Sequence, residues 1–170
     1  MDLFGALTFQ VTGQQLSMRA TRGILERLEA SFDGELPTPA QLLGTDPEQL
    51  RAAGLSARKV ATLRDLAQRF ADGRLDEDAL RRLSDDEVEV ELTQVSGVGP
   101  WTVHGALIIA FDRQDVVLEG DLALRNAIQR IYGLDHLPSQ EEVREIADRW
   151  RPYRSMATSY LFQTAFDPLR

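Results

Sequence analysis

An all-α fold is the expectation for this 170-residue chain, and three observations set it. Apolar residues recur at the three-to-four spacing of a helix face through most of the sequence. Gly or Pro clusters with Ser, Thr or Asp caps punctuate that pattern at short intervals, as helix stops and starts do. Only one short piece, 116–118, reads as extended. Taken in order, residues 4–11 form a buried helix, broken at Thr12-Gly13-Gln14-Gln15. Ser17 caps an amphipathic helix to about Phe32, and 34–39 is a turn. Thr38-Pro39 and Asp46-Pro47 each open a short helix, where proline's missing N–H costs nothing. Ser56 caps a longer helix through Phe70, with Val60, Leu63, Leu66, Ala67 and Phe70 as its apolar stripe. Short helices at 76–83 and 85–94 lead to a glycine turn, then to helices at 101–111, 122–132, 139–149 and 155–165.

The expected organisation is a two-lobed helical bundle. A continuous block, 33–115, makes a central lobe that includes a helix-hairpin-helix at about 86–111. The two ends, 1–32 and 116–170, would meet to form the second lobe, with a binding cleft between the lobes.

Composition narrows the function. The chain has no cysteine, which excludes disulfides, thiolate nucleophiles, iron–sulfur clusters and cysteine zinc sites. Two histidines, His104 and His136, are too few for a histidine-based metal centre. No apolar run approaches a membrane span or a signal peptide, so a soluble, cytoplasmic protein is expected. A formal net charge of −8 argues against binding nucleic acid by bulk electrostatics. Residues 1–90 carry 11 basic and 16 acidic side chains (net −5) and residues 91–170 carry 8 and 11 (net −3). Neither half is a basic domain, so any contact with a polyanion must be local. Of the 19 basic residues only Lys59 is a lysine. The acid-rich runs 76–78 and 85–91 read as solvated faces.

Chemistry concentrates between residues 92 and 125. Gly97-Val98-Gly99 lies between two helical patterns, where glycines take backbone angles other residues avoid, and Pro100 opens the next helix. Backbone amides at such a helix start bind anions without basic side chains. The amides of this Gly97-Val98-Gly99 turn, with the Thr102 hydroxyl, would receive one phosphate. A lone acid, Asp121, stands before the helix that begins at Leu122 and reads as its cap. His104 reads as a satisfied or surface histidine.

Four segments, in order, resemble the helix-hairpin-helix DNA glycosylases, specifically their AlkA-like 3-methyladenine branch. They are residues 4–17, ending Gln14-Gln15-Leu16-Ser17; Val95-Ser96-Gly97-Val98-Gly99-Pro100-Trp101-Thr102; Gly120-Asp121-Leu122-Ala123-Leu124-Arg125; and Trp150-Arg151-Pro152-Tyr153-Arg154-Ser155. The resemblance implies the HhH-GPD fold. It implies a monofunctional enzyme of base excision repair that flips an alkylated purine out of double-stranded DNA and hydrolyses its N-glycosidic bond. Asp121 would be the catalytic carboxylate, stabilising positive charge on the deoxyribose and directing water. It can cap its helix at the same time.

Trp101 stands where the strand-cleaving branch carries a Schiff-base lysine, so hydrolysis without lyase chemistry is implied. Trp101 and Tyr153 would be aromatic pocket walls stacking on a cationic base, with core packing as the plainer role for each. Gly105, one turn beyond Trp101 where some relatives place an aromatic, implies a roomier pocket. Gln14 and Gln15 fall where relatives fill the gap left by the flipped nucleotide; Gln15 is the wedge candidate, and helix capping is the alternative for both. Carbonyls of Thr93, Val95 and Val98 would hold a monovalent cation, Na+ or K+, and no other cofactor is implied. The expected partner is double-stranded DNA containing alkylated bases, with no membrane. The protein is expected to act as a monomer, nucleoid-associated if bacterial. Only three residues precede Phe4; with Gly105, this motivates a rival reading as a paralogue that binds DNA structure without productive excision.

Overall fold

A computed structural model describes residues 1–166. Among them every regular element is helical: α1 (Leu3–Gly13), α2 (Met18–Ala30), α3 (Pro39–Gly44), α4 (Pro47–Ala52), α5 (Ala57–Ala71), α6 (Glu77–Arg81), α7 (Asp85–Leu92), α8 (Pro100–Phe111), α9 (Leu122–Tyr132), α10 (Gln140–Ala147) and α11 (Arg154–Phe166), with a 3-10 turn at Asp148–Trp150. The helix starts read at Ser17, Thr38, Asp46 and Ser56 fall where expected, each side chain accepting a backbone N–H there. Asp76 and Ser139 cap α6 and α10 in the same way. Residues 116–118 form no strand; they are a buried apolar connector.

The chain divides into two units, Met1–Phe111 and the remainder from Asp112. This differs from the expected partition, in which 1–32 joined the C-terminal residues. The physical reason is α1. Leu3, Phe4, Ala6, Leu7 and Val11 are all buried, as are Thr8, Gln10 and Thr12, so this mostly apolar helix is covered on every side. Helices α2, α5 and α8 of the first unit supply it, and Phe4 meets Phe70 of α5 edge-on at 5.6 Å. Each fully buried leucine contributes about 1.5–3 kcal/mol, which makes α1 the centre of this unit rather than a strap to the other.

Both ends of α1 are electrostatically satisfied. At its N-terminus Asp2 accepts from Gly5 N–H at 2.7 Å and Glu77 accepts from Leu3 N–H at 2.8 Å. At its C-terminus the ammonium of Lys59, on α5, donates to the carbonyls of Thr12 at 2.8 Å and Gln14 at 2.9 Å. Acids at the start and a cation at the end oppose the helix dipole in the stabilising sense. Burial pushes the Lys59 ammonium below the usual lysine pKa.

In the second unit α9 packs on α11. Gly133, at φ 65°, ends α9 in the left-handed conformation, and a capping box of Ser139 and Glu142 starts α10. No helix is long and apolar enough to cross a membrane among the described residues.

Candidate active site

The hairpin joins α7 to α8 through residues 93–99. Gly97 sits at φ +92°, and a Cβ built there would lie 2.3 Å from the Thr62 hydroxyl oxygen. That hydroxyl donates to the Ser96 carbonyl at 2.9 Å, so α5 clamps the turn and leaves no room for a side chain. Gly99 differs from the expectation: its φ is not positive and nothing lies within 4 Å of its absent Cβ. Only Gly97 needs glycine's backbone freedom.

The amides of Gly97 and Gly99 donate to no described residue, whereas Val98 N–H is spent on the Val95 carbonyl at 3.0 Å. Two unspent amides therefore precede α8, whose dipole presents its positive end there. Thr102 does not join them. It is 1% exposed, and its hydroxyl oxygen accepts from Gln14 Nε2 at 2.9 Å. Sitting in the first turn of α8, its side chain points into the unit, where Gln14 covers it. The same Gln14 amide donates to the Gly97 carbonyl at 2.9 Å. Gln14 is thus a strut between the end of α1 and the hairpin. Gln15 is exposed and carries φ 58°, so the break in α1 projects it from the surface.

The cation expectation rests on carbonyls. Val95 O already takes one hydrogen bond, while no described residue donates to Thr93 O or Val98 O. Each carbonyl has two lone pairs, so the donor set fits a weakly bound monovalent ion in kind. No cluster of His, Cys, Asp or Glu suited to a metal occurs among the described residues.

Trp101 is half-buried on α8. Gly105, one turn along, does not open a cavity. A Cβ there would lie 2.2 Å from Gln10 Nε2, 2.4 Å from its Cδ and 2.8 Å from its Oε1. The carboxamide of Gln10, from α1, occupies the space that the glycine leaves. Gln14 against Thr102 and Gln10 against Gly105 set α1 and α8 antiparallel. His104, on another face of α8, pairs with Glu89 of α7 at 2.6 Å, a structural link across the hairpin.

In the second unit, the approach to Asp121 is pinned. Ser155 donates to Arg113 O at 2.6 Å and accepts from Val116 N–H at 3.0 Å. Arg154 grips Asp115 at 2.7 Å, and Arg151 holds it at 2.8 Å. Burial pushes the Asp115 carboxyl up, but the two guanidiniums outweigh it and hold the group below the usual carboxylate range. Val116, Val117 and Leu118 are then buried, and Leu118 O accepts Asp121 N–H at 2.9 Å. Asp121 itself is half-buried and caps α9, its Oδ1 accepting from Leu124 N–H at 2.9 Å. The helix start favours negative charge, and the cap fixes the carboxylate's direction. Tyr153 is 54% exposed and stands immediately before α11. Within this unit nothing encloses its ring.

Sequence reasoning missed three contributors. Gln10 had a signal, a lone amide inside an apolar helix. Lys59 was conspicuous as the single lysine, though nothing local marked it as a cap for α1. Thr62 carried none, because its partner is 34 residues away.

A glycine turn between α7 and α8, a helix beginning at Pro-Trp and a carboxylate at a later helix start are the features of a helix-hairpin-helix protein. Residues 10–152 match the family model described as HhH-GPD superfamily base excision DNA repair protein. The chain belongs to this superfamily. It is 34% identical over 157 residues to DNA-3-methyladenine glycosylase 1 of Schizosaccharomyces pombe, covering 91% of this chain and 69% of that protein. It is 30% identical to the alkylbase DNA glycosidase-like protein mag2 of the same organism, covering 90% and 73%. The solved structure of S. pombe 3-methyladenine DNA glycosylase (Mag1) in complex with abasic DNA superposes with a TM-score of 0.91 at 33% identity, covering 96% of this chain and 81% of that one.

Proposed function

We propose that this protein is a monofunctional DNA glycosylase that excises alkylated purines of the 3-methyladenine type from double-stranded DNA. The observation that carries the reading is the near full-length likeness to 3-methyladenine glycosylases, combined with a carboxylate whose direction is fixed by the start of α9. The Gly97 and Gly99 amides take a backbone phosphate, and Gln15, projecting at the break after α1, fills the gap left by the extruded nucleotide. Trp101 stacks on the cationic base, with Tyr153 as a second aromatic. An alkylated purine is already a good leaving group. Asp121 therefore has to stabilise the positive charge that develops on the deoxyribose as the C1′–N bond breaks, and to orient the water whose oxygen bonds to C1′. The products are a free base and an abasic site.

Lyase chemistry would need an amine nucleophile. The single lysine is committed to the carbonyls of Thr12 and Gln14, and Trp101 stands where the lyase branch has its lysine, which supports hydrolysis alone. A monovalent cation held by Thr93, Val95 and Val98 carbonyls would add positive charge to the phosphate contact. The working unit is a monomer.

The test is release of free base from methylated duplex DNA by the wild type and by Asp121→Asn. Asparagine retains the cap, so α9 survives while the charge is lost. Release by the wild type that collapses by at least a hundredfold in the variant is the expected result. Near wild-type release by Asp121→Asn would remove Asp121 from the chemistry.

A further inference from the structure

We infer that Gln10 reads the edge of the extruded base and biases this enzyme toward adenine-derived lesions; the inference rests on the glycosylase reading above. Gln10 is 7% exposed and is the one carboxamide within the mostly apolar α1, whose other buried polar side chains are Thr8 and Thr12. Its carboxamide forms no hydrogen bond with any described residue. Leucine would fill a similar volume with no polar group to satisfy, so packing alone does not call for glutamine at this position.

Its placement gives the amide a use. Gln10 Nε2, Cδ and Oε1 all lie within 2.8 Å of where a Cβ on Gly105 would be, so glycine at 105 is what lets the carboxamide lie against α8. Residue 105 shares a helix face with Trp101, one turn earlier. The group lying over Gly105 therefore sits on the face of α8 that carries Trp101, the proposed stacking residue. On the same face of α1, one turn on, Gln14 is tied to the hairpin, which fixes the register of the two helices and hence the height of Gln10.

A carboxamide offers one acceptor and two donors side by side. That pattern complements the N6 donor and N7 acceptor of an adenine edge, the pairing that glutamine makes with adenine in duplex readout. In 3-methyladenine this edge is unmodified. In 7-methylguanine the corresponding atoms are an O6 acceptor and a methylated N7, which cannot accept. Gln10 thus finds two partners in the first base and at most one in the second. A site that hydrogen-bonds its substrate discriminates strongly against an analogue lacking the groups.

The experiment measures kcat/KM for excision of 3-methyladenine and of 7-methylguanine by wild type, Gln10→Glu and Gln10→Leu. Gln10→Glu keeps the shape over Gly105 but loses the donors; Gln10→Leu keeps bulk and loses all polarity. The expected result is a tenfold or larger fall for 3-methyladenine in both variants, with a smaller fall for 7-methylguanine, so that the ratio moves toward the guanine lesion. Equal falls for both bases at constant ratio would show a packing role and overturn the inference. So would unchanged rates. Where Gln10→Leu fails to fold, Gln10→Glu decides alone. Absence of any release by folded wild type would instead sink the glycosylase reading beneath it, an outcome distinct from an unmoved ratio.

Discussion

Replacing Gly97 by alanine tests the claim that the hairpin is clamped rather than merely turned. At φ +92° a residue with a Cβ pays about 1–2 kcal/mol for left-handed geometry. The new methyl would also lie 2.3 Å from the Thr62 hydroxyl. Threonine is β-branched and stiff about χ1, so it can move only by giving up its bond to the Ser96 carbonyl, a further loss of about 0.5–1.5 kcal/mol. Together these come to about 1.5–3.5 kcal/mol. Gly99→Ala is the matched control, since its backbone is ordinary and its Cβ position is empty, and its cost should stay within about 1 kcal/mol. Urea unfolding followed by far-ultraviolet circular dichroism reads both. Thr62→Ala removes the overlapped oxygen, so the double variant should lose less than the sum of the two singles. Equal losses at 97 and 99, or strict additivity with Thr62→Ala, would refute the clamp.

Three further outcomes follow from the same geometry. Gly105→Ala should cost under about 1.5 kcal/mol in urea unfolding, because the crowded atoms belong to the movable end of Gln10; a loss as large as that of Gly97→Ala would mean the amide is locked. Lys59→Met strips two carbonyls at the end of α1 of their donor and should cost about 1–2 kcal/mol after allowance for solvent screening, with amide exchange accelerating over residues 10–14; unchanged exchange there would deny Lys59 its capping role. His136 is held above the ordinary histidine pKa by its bond to Asp135, then by Glu142, while both carboxyls are held below theirs. The histidine's contribution is complete below about pH 6.5 and fades as pH rises through its folded value, and the carboxyls' contribution is complete above about pH 4.3 and fades on acidification. The cluster is therefore strongest between those limits. In a nuclear magnetic resonance titration Glu142→Gln should move the His136 midpoint down, and an unmoved midpoint would exclude Glu142 as a cause.

The elements were legible in the sequence because each is announced locally. Ser56 and the stripe from Val60 to Phe70 lie within one helix, and the Thr38-Pro39 and Asp46-Pro47 starts need no distant partner. The hairpin and Asp121 were legible for the same reason: a glycine turn before Pro100, and an acid before Leu122, are short-range signals whose order along the chain resembles one family. The roles of individual hairpin residues were not. Sequence treats Gly97 and Gly99 alike, and only the approach of α5 makes one indispensable and leaves the other slack.

Sequence alone thus determined the helices, their caps, the hairpin and the position of the acid, all governed by interactions within a few residues. Tertiary structure decided that α1 belongs with α8, that Thr102 is sealed beneath Gln14, and that Gly105 makes room for Gln10 rather than for an open pocket. Those outcomes depend on which faces of distant helices meet, and close packing turns on single atoms whose partners lie tens of residues away.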